Sequence, residues 1–404
     1  MKDIKIYSVV TAGYWSFTIT DGALRMLVLL YFHTLGYTPF QLATLFILYE
    51  LMGIVTNLIG GWIASQFGLR LTLYAGLLTQ IFSLTILSLL DPNWSQQLSM
   101  IFVLCMQGLS GIAKDLSKMS SKSSIKLVTS TNSKSTLFRW TALLTGSKNT
   151  LKGLGFFVGG LLLNHTGFQD SLLLMAGCLS LILIFTMFAL PKSFGEGLIK
   201  TKLSSILSKT PSINYLSSAR SLLFGARDIW FVVGLPVFLY DVLKWNFESI
   251  GTFFACWIIG YGIIQSLTPH IIKQSNKGYT KEITSTRSWT LGLSFLSLML
   301  SIAIYIGISP LIITLLGLTL FGAVFAINSS LHSFLILALT KTDEVALNVG
   351  FYYMANAIGR FFGTLLSGII YQEAGLSGCL AVSAVMIGFS GYLINLLGEI
   401  EKIK

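Results

Sequence analysis

Ionisable residues stand inside apolar stretches of the sequence that are each long enough to cross a bilayer. A charge at the centre of a bilayer costs about 2.5–3.5 kcal/mol on insertion scales, so each such residue requires a partner or a ligand. The basic residues outnumber the acidic ones, which favours binding of an anion. The basic residues are Arg25, Lys114, Lys148, Lys152, Arg227 and Arg360, and the acidic residues are Asp21, Glu50, Asp115 and Asp228.

Pairing along one helix can neutralise some of these charges. Asp21 and Arg25 are spaced i,i+4, and Asp115 and Lys118 are spaced i,i+3, so each pair can meet on one helix face. The alternative for the first pair is that Arg25 contacts a ligand and Asp21 takes part in proton coupling.

Two adjacent charges follow a different rule. Arg227 and Asp228 are neighbours in the sequence, so on a helix they point about 100° apart. We therefore expect each to find its partner on another helix, with Arg227 available to an anion and Asp228 to a proton.

Three cations have no acid within four residues on their own stretch. Lys148 and Lys152 share one helix face, and Lys148, Lys152 and Arg360 each stand near the middle of a span. They are the first candidates for binding an anion. The alternative is that Glu50 and Asp228 neutralise two of them.

Glu50 is followed at helical spacing by Gly53, Asn57 and Gly60. This small and polar stripe suits close helix packing. A buried carboxylate there either carries a proton or forms a hydrogen bond across the helix interface.

A serine-rich stretch repeats lysine every four residues, at Lys114, Lys118 and Lys122. It predicts either binding of a phosphate-like oxyanion or a basic anchor at the cytoplasmic surface. Asn328 and His332, spaced i,i+4, are secondary candidates for ligand contact.

The elements that carry these residues are set by composition. Of 404 residues, 53% are hydrophobic and 11% charged, against about 25% charged in an average soluble domain. The mean hydropathy is +0.76. We expect an all-α polytopic membrane protein. The sequence has no P-loop and no room for a soluble catalytic domain, so we expect neither an enzyme nor a bound cofactor or metal.

Twelve spans are predicted between polar breaks. Their limits are 8–34, 40–67, 71–90, 98–118, 137–163, 170–190, 221–243, 249–272, 288–306, 310–338, 345–370 and 374–397. Most of the 27 basic residues fall in one alternate set of loops, whereas the other set holds Lys244 alone. This split places both termini in the cytoplasm. It also explains the net charge of +11, so we expect the lipid bilayer and no nucleic acid as partner.

The two halves of the chain repeat at an offset of 208 residues. The offset carries Leu35, Tyr37, Leu42, Thr44 and Phe46 onto Leu243, Trp245, Ile250, Thr252 and Phe254, and Lys152, Gly155, Gly160 and Gly167 onto Arg360, Gly363, Gly368 and Gly375. Two six-helix halves in parallel repeat predict the major facilitator architecture. The predicted halves are 1–191 and 220–404, joined by a linker over 192–219 with an amphipathic helix. Pseudosymmetry then places Lys152 and Arg360 on opposite walls of a central cavity.

Several segments resemble one known family. The stretch 61–70 is similar to the loop signature of the major facilitator superfamily, with Ser65 where that signature usually has an acid. Four further segments resemble the ArsJ-type organoarsenical efflux permeases of that superfamily. They are FTITDGALRMLVLL (17–30), GLSGIAKDLSKM (108–119), LTGSKNTLKGLGFF (144–157) and GARDIWFVVGLPVFLY (225–240).

That resemblance implies export of 1-arseno-3-phosphoglycerate, and with it resistance to arsenate. The ester forms when a glyceraldehyde-3-phosphate dehydrogenase uses arsenate in place of phosphate, so that enzyme is the implied functional partner. The substrate is a small anionic molecule, and we expect a monomeric antiporter. The alternative is a proton-coupled transporter of another phosphorylated organic anion.

Overall fold

The computed structural model describes residues 2–128, 134–191, 210–271, 280–340 and 345–403. Every regular element within these ranges is helical. The helices are α1 (Lys2–Thr34), α2 (Pro39–Leu45), α3 (Ile47–Phe67), α4 (Leu69–Leu87), α5 (Gln96–Val128), α6 (Lys134–His165), α7 (Gly167–Ala189), α8 (Pro211–Phe231), α9 (Gly234–Asp241), α10 (Phe247–Ile271), α11 (Thr280–Tyr305), α12 (Pro310–Ile312), a π-helical turn (Ile313–Gly317), α13 (Leu318–Ala338) and α14 (Val345–Ile403).

The helices agree with the predicted spans. Within the described ranges, nine helical segments are long and apolar enough to cross a membrane. Gly375, with φ of 60°, breaks the last of these into two. The long helices α1 and α6 fall on the first and fifth predicted spans. The all-α membrane architecture is therefore confirmed.

Two helices extend about ten residues beyond their predicted limits. Helix α5 continues to Val128, and α8 begins at Pro211. The start of α8 has a local cause, because the side chain of Thr210 accepts a hydrogen bond from the backbone N–H of Ile213 and proline suits the first helical position. Arg220, expected in a cytoplasmic loop, is instead a buried residue of α8. Residues 192–209 of the predicted linker lie outside the described ranges.

The chain forms two compact units. The first unit comprises Met1–Tyr31, Leu48–Leu203 and Phe247–Ile259, and the second comprises Phe32–Ile47, Ser204–Asn246 and Gly260–Lys404. In the first unit, Leu73 of α4 and Leu183 of α7 belong to one core cluster. In the second unit, Leu216 of α8, Tyr352 of α14 and Leu335 of α13 belong to another.

The serines of α5 serve helix packing. Ser117 and Ser120 are fully buried, and the Ser120 hydroxyl donates to the carbonyl oxygen of Leu69 at 2.7 Å. A Cβ at Gly76 of α4 would overlap the Ser117 hydroxyl, so the two helices touch here. Ser117 and Ser120 therefore face a neighbouring helix, and oxyanion binding by the lysine- and serine-rich stretch stays a prediction.

The predicted offset also relates unusual backbone conformations. Gly167 and Gly375 have φ of 76° and 60°, and each lies where one long helical segment gives way to the next. Gly36 and Lys244, again 208 residues apart, have φ of 83° and 56°. Matching left-handed residues at one offset support a repeated backbone.

We expect Gly359→Ala to destabilise the protein, because a Cβ at Gly359 would overlap the carbonyl oxygen of Ser221 where α14 meets α8. Overpacking of this kind costs about 1–3 kcal/mol. Gly350→Ala on the same helix is the matched control, since a Cβ there meets no atom within 4 Å. The melting temperatures of the two purified variants test this expectation, and equal values would contradict it.

Candidate functional site

A first charge cluster lies in the first unit, around Tyr49 of α3. The Tyr49 hydroxyl donates to Asp21 Oδ1 at 2.6 Å, and Lys152 Nζ lies 3.5 Å from Asp21 Oδ2. Lys114 Nζ stands 4.0 Å from the centre of the Tyr49 ring, a cation–π contact. The guanidinium carbon of Arg25 is 5.6 Å from the same ring. One tyrosine of α3 thus connects charges from α1, α5 and α6.

Glu50 is the carboxylate that binds Arg25. Arg25 Nη2 donates to Glu50 Oε1 at 3.0 Å, and the Glu50 side chain is 1% exposed. The sequence-based expectation that Asp21 and Arg25 form the ion pair along α1 is corrected, because Asp21 pairs with Lys152 of α6 and Arg25 with Glu50 of α3. The ion pairs form between helices and not along α1, because each helix presents one charge toward its neighbour.

Asp115 completes the first cluster. Its Oδ1 accepts from Lys118 Nζ at 2.9 Å, which confirms the pair predicted at i,i+3. Its Oδ2 accepts from the Thr56 hydroxyl at 2.7 Å and lies 3.9 Å from Lys114 Nζ. Lys118 also donates to Asn57 Oδ1. The polar stripe that follows Glu50 therefore anchors the lysines of α5.

A second charge cluster lies in the second unit, around Asp228 of α8. Arg227 Nε donates to Asp228 Oδ1 at 2.8 Å, and Arg360 Nε donates to Asp228 Oδ2 at 3.1 Å. The expectation that Arg227 and Asp228 find partners elsewhere is wrong for Arg227, whose long side chain folds back onto its neighbour. The alternative in which Asp228 neutralises Arg360 agrees with this geometry.

Arg220 belongs to the second cluster and was missed as an intramembrane charge. Its Nη1 donates to the carbonyl oxygen and the hydroxyl of Ser329 at 3.1 and 3.2 Å, and its Nε donates to Asn356 Oδ1 at 3.2 Å. No carboxylate among the described residues pairs with Arg220. The Thr210-Pro211 helix-start signal could have placed Arg220 three turns inside the helix.

Of the two secondary candidates, Asn328 and His332, only Asn328 has hydrogen-bond partners among the described residues. Asn328 Oδ1 accepts from the Thr290 hydroxyl at 2.8 Å, and its Nδ2 donates to the Val324 carbonyl oxygen at 3.1 Å. His332 is fully buried, and neither ring nitrogen has a hydrogen-bond partner within the described ranges. Lys148 is half-buried on the same face of α6 as Lys152.

Close backbone contact places the charges in both units. In the first unit, a Cβ at Gly22 would lie 2.7 Å from the carbonyl oxygen of Lys152. In the second unit, a Cβ at Gly363 would lie 2.5 Å from the carbonyl oxygen of Gly225 and 2.9 Å from Asp228 Cβ. Each contact holds a helix that carries a carboxylate against one that carries a cation, so the repeat-related Lys152 and Arg360 each reach an acid.

Both clusters contain more cations than carboxylates. The first has Arg25, Lys114, Lys118 and Lys152 against Asp21, Glu50 and Asp115, and the second has Arg220, Arg227 and Arg360 against Asp228. Desolvated guanidinium and ammonium groups bind phosphate-like oxygens strongly. Among the described residues, no group of three or more metal-ligating side chains occurs. The arrangement is suited to binding an anion.

No family model and no curated protein matches this sequence. Among solved structures, the human organic anion transporter MFSD10 (TETRAN) is similar over 97% of this chain and 99% of its own, with a TM-score of 0.69 and 16% sequence identity. That similarity extends over the whole chain and agrees with the helical order described above. The chain therefore has the major facilitator fold, an all-α membrane architecture.

Proposed function

We propose that this protein is a membrane transporter of small organic anions. The observation that carries the proposal is the excess of cations over carboxylates in both charge clusters. The clearest case is Arg220, which is buried and has only neutral hydrogen-bond partners among the described residues, and an anionic substrate would offset the cost of its charge. The similar human structure is described as an organic anion transporter, which favours the same substrate class.

We further propose that the substrate is 1-arseno-3-phosphoglycerate and that transport is export. The four segments that resemble the ArsJ-type permeases contain most of the cluster residues. These are Asp21, Arg25, Lys114, Asp115, Lys118, Lys152, Arg227 and Asp228. The ester carries oxyanion groups at both ends, which suits cationic sites. A glyceraldehyde-3-phosphate dehydrogenase in the same cell would supply it.

Coupling to protons follows from competition for the cations. A substrate oxyanion that takes Arg25 leaves Glu50 buried without its cation. Protonation of Glu50 removes the cost of that unpaired charge. The same exchange can operate at Asp21 with Lys152 and at Asp228 with Arg360. Substrate binding and protonation of these carboxylates are therefore linked, and in this scheme the proton and the anion bind together.

A proton-coupled transporter of another phosphorylated organic anion is the second candidate. It shares the cationic clusters but does not depend on arsenate or on the dehydrogenase. An arsenate-sensitive bacterium expressing this protein, with and without a co-expressed dehydrogenase, separates the two. Resistance to arsenate that increases with the dehydrogenase, without resistance to the neutral arsenite, supports the arsenical substrate. Resistance to arsenite would contradict it.

We expect both termini and the loop around residue 205 to face the cytoplasm of a bacterial inner membrane, because basic residues dominate that set of loops. Single cysteines introduced at 132 and 205 should react with an impermeant thiol reagent only from inside, and one at 93 only from outside. The background variant lacks the four native cysteines at 105, 178, 256 and 379. Labelling at 205 in intact cells would overturn this orientation.

A further inference from the structure

Two arginines of α8 pack against one aromatic ring. The guanidinium carbon of Arg220 lies 3.8 Å from the centre of the Phe224 ring, and that of Arg227 lies 5.0 Å from it. The two guanidinium carbons are therefore no more than about 9 Å apart. Phe224 stands between the arginines along the helix, four residues after the first and three before the second. The ring thus contacts both arginines, which share one helix face.

The first position, at Arg220, has only neutral partners. Ser329 accepts from its Nη1 and Asn356 accepts from its Nε, and its Nη2 donates to none of the described residues. The Tyr261 hydroxyl donates to the Ser329 hydroxyl at 3.0 Å, which fixes that acceptor. Arg220 is 5% exposed, so a charge-assisted hydrogen bond to it would form in a desolvated environment.

A buried imidazole lies near the same position. His332 is fully buried, both of its ring nitrogens lack a partner within the described ranges, and the charge of Arg220 acts on it. Buried polar groups in folded proteins nearly always have a hydrogen-bond partner. An oxyanion held by Arg220 would supply an acceptor for a ring N–H of His332.

The second position, at Arg227, has an acid but remains cationic. Asp228 accepts from both Arg227 and Arg360, so two guanidinium groups share one carboxylate. The side chains of Arg227 and Arg360 are 16% and 19% exposed. A ligand can therefore meet a net positive charge at both positions, the one at Arg220 and the one at Arg227.

From these contacts we propose that the second charge cluster recognises both ends of a single molecule that carries two oxyanion groups. Arg220 with His332 holds one group, and Arg227 with Arg360 holds the other. The inference rests on the proposed anion transport but does not require arsenic. The Cα atoms of Arg220 and Arg227 are about 10 Å apart along the helix, and the two side chains have different partners, so they form two positions. The ligand class is a short organic chain with a phosphate-like group at each end.

Alkyl phosphonates of defined length test this arrangement with the purified full-length protein. Propane-1,3-bisphosphonate should bind about 10- to 100-fold more tightly than propylphosphonate, because it makes one more set of charge-assisted hydrogen bonds. Methanebisphosphonate controls for charge, since its two phosphonate groups share one carbon and cannot contact the positions at Arg220 and Arg227 at the same time. It should bind more weakly than the propane compound.

Arg220→Gln should remove the preference for propane-1,3-bisphosphonate and leave the affinity for propylphosphonate within about twofold. Arg220→Lys should keep part of the preference, and unliganded melting temperatures report whether each variant folds. Arg287→Gln is the control, since Arg287 is exposed and bonds to Asn395 in another part of the second unit. Equal binding of all three phosphonates, or an equal loss for both ligands in Arg220→Gln, would overturn the proposal. A bisphosphonate preference without arsenate resistance would uphold it and refute only the arsenical substrate.

Discussion

Arg360→Ala should abolish arsenate resistance while membrane expression stays normal. Arg360 and Arg227 both pair with Asp228. Removal of the Arg360 guanidinium therefore leaves the buried Asp228 carboxylate paired with Arg227. The cluster loses one of its two surplus positive charges, however, and with it part of the attraction for an anion. Loss of such a contact should cost about 2–4 kcal/mol, or roughly 30- to 1000-fold in apparent affinity.

Three variants separate a substrate role of Arg360 from a pairing role. Arg360→Lys should retain only part of the resistance, because lysine keeps the charge but loses the planar fork. Arg360→Ala combined with Asp228→Asn should remain inactive if the cation binds substrate. Recovery of resistance in that double variant would show that Arg360 serves only to neutralise Asp228. Arg287→Ala, at an exposed arginine, is the control for loss of charge.

The second large effect is expected at Lys152, which the repeat relates to Arg360. Lys152→Ala should remove resistance, and Lys152→Arg should retain part of it, since charge survives while geometry changes. Asp21 pairs with Lys152 and accepts from the Tyr49 hydroxyl, whereas Asp228 accepts from two guanidinium groups. We therefore expect Lys152→Ala to lower the melting temperature more than Arg360→Ala does. Normal resistance in Lys152→Ala would place the anion site elsewhere in the first cluster.

Glu50 supplies a separate test of coupling. Glu50→Gln should stop net export and leave substrate exchange measurable, because the amide keeps the size of the carboxylate but cannot carry a proton. Asp170→Asn, at an exposed carboxylate in the first turn of α7, is the matched control. Full arsenate resistance in Glu50→Gln would leave Glu50 with only a packing role beside Arg25.

The fold could be predicted from the sequence because its signals are strong and local. Long apolar runs predict the helices, and the 208-residue offset relates Gly167 to Gly375, which both have a positive φ. Helix ends were less predictable, since α5 and α8 continue through polar residues that hydropathy treats as loops. The charge of Lys118 is tolerated there because Asp115 and Asn57 hold it.

The residues of the charge clusters could be named from the sequence, but their partners could not. Local spacing found Lys118 with Asp115, a pair on one helix. It assigned Arg25 to Asp21, whereas the structure assigns Arg25 to Glu50. Contacts between helices depend on how closely glycines let them approach, and spacing along one helix carries no information about that. Tyr49 was missed for the same reason, since nothing in its local sequence shows that four helices meet at its ring.

The most direct test of the account is transport into everted membrane vesicles, whose outer face corresponds to the cytoplasm. The medium would contain labelled arsenate, glyceraldehyde 3-phosphate, NAD and the dehydrogenase, so that the ester forms outside the vesicles. We predict accumulation of label in vesicles with the wild-type protein, and none with arsenate alone or with Arg360→Ala. Equal accumulation with and without the dehydrogenase, or no accumulation by well-expressed wild-type protein, would contradict export of the arsenate ester.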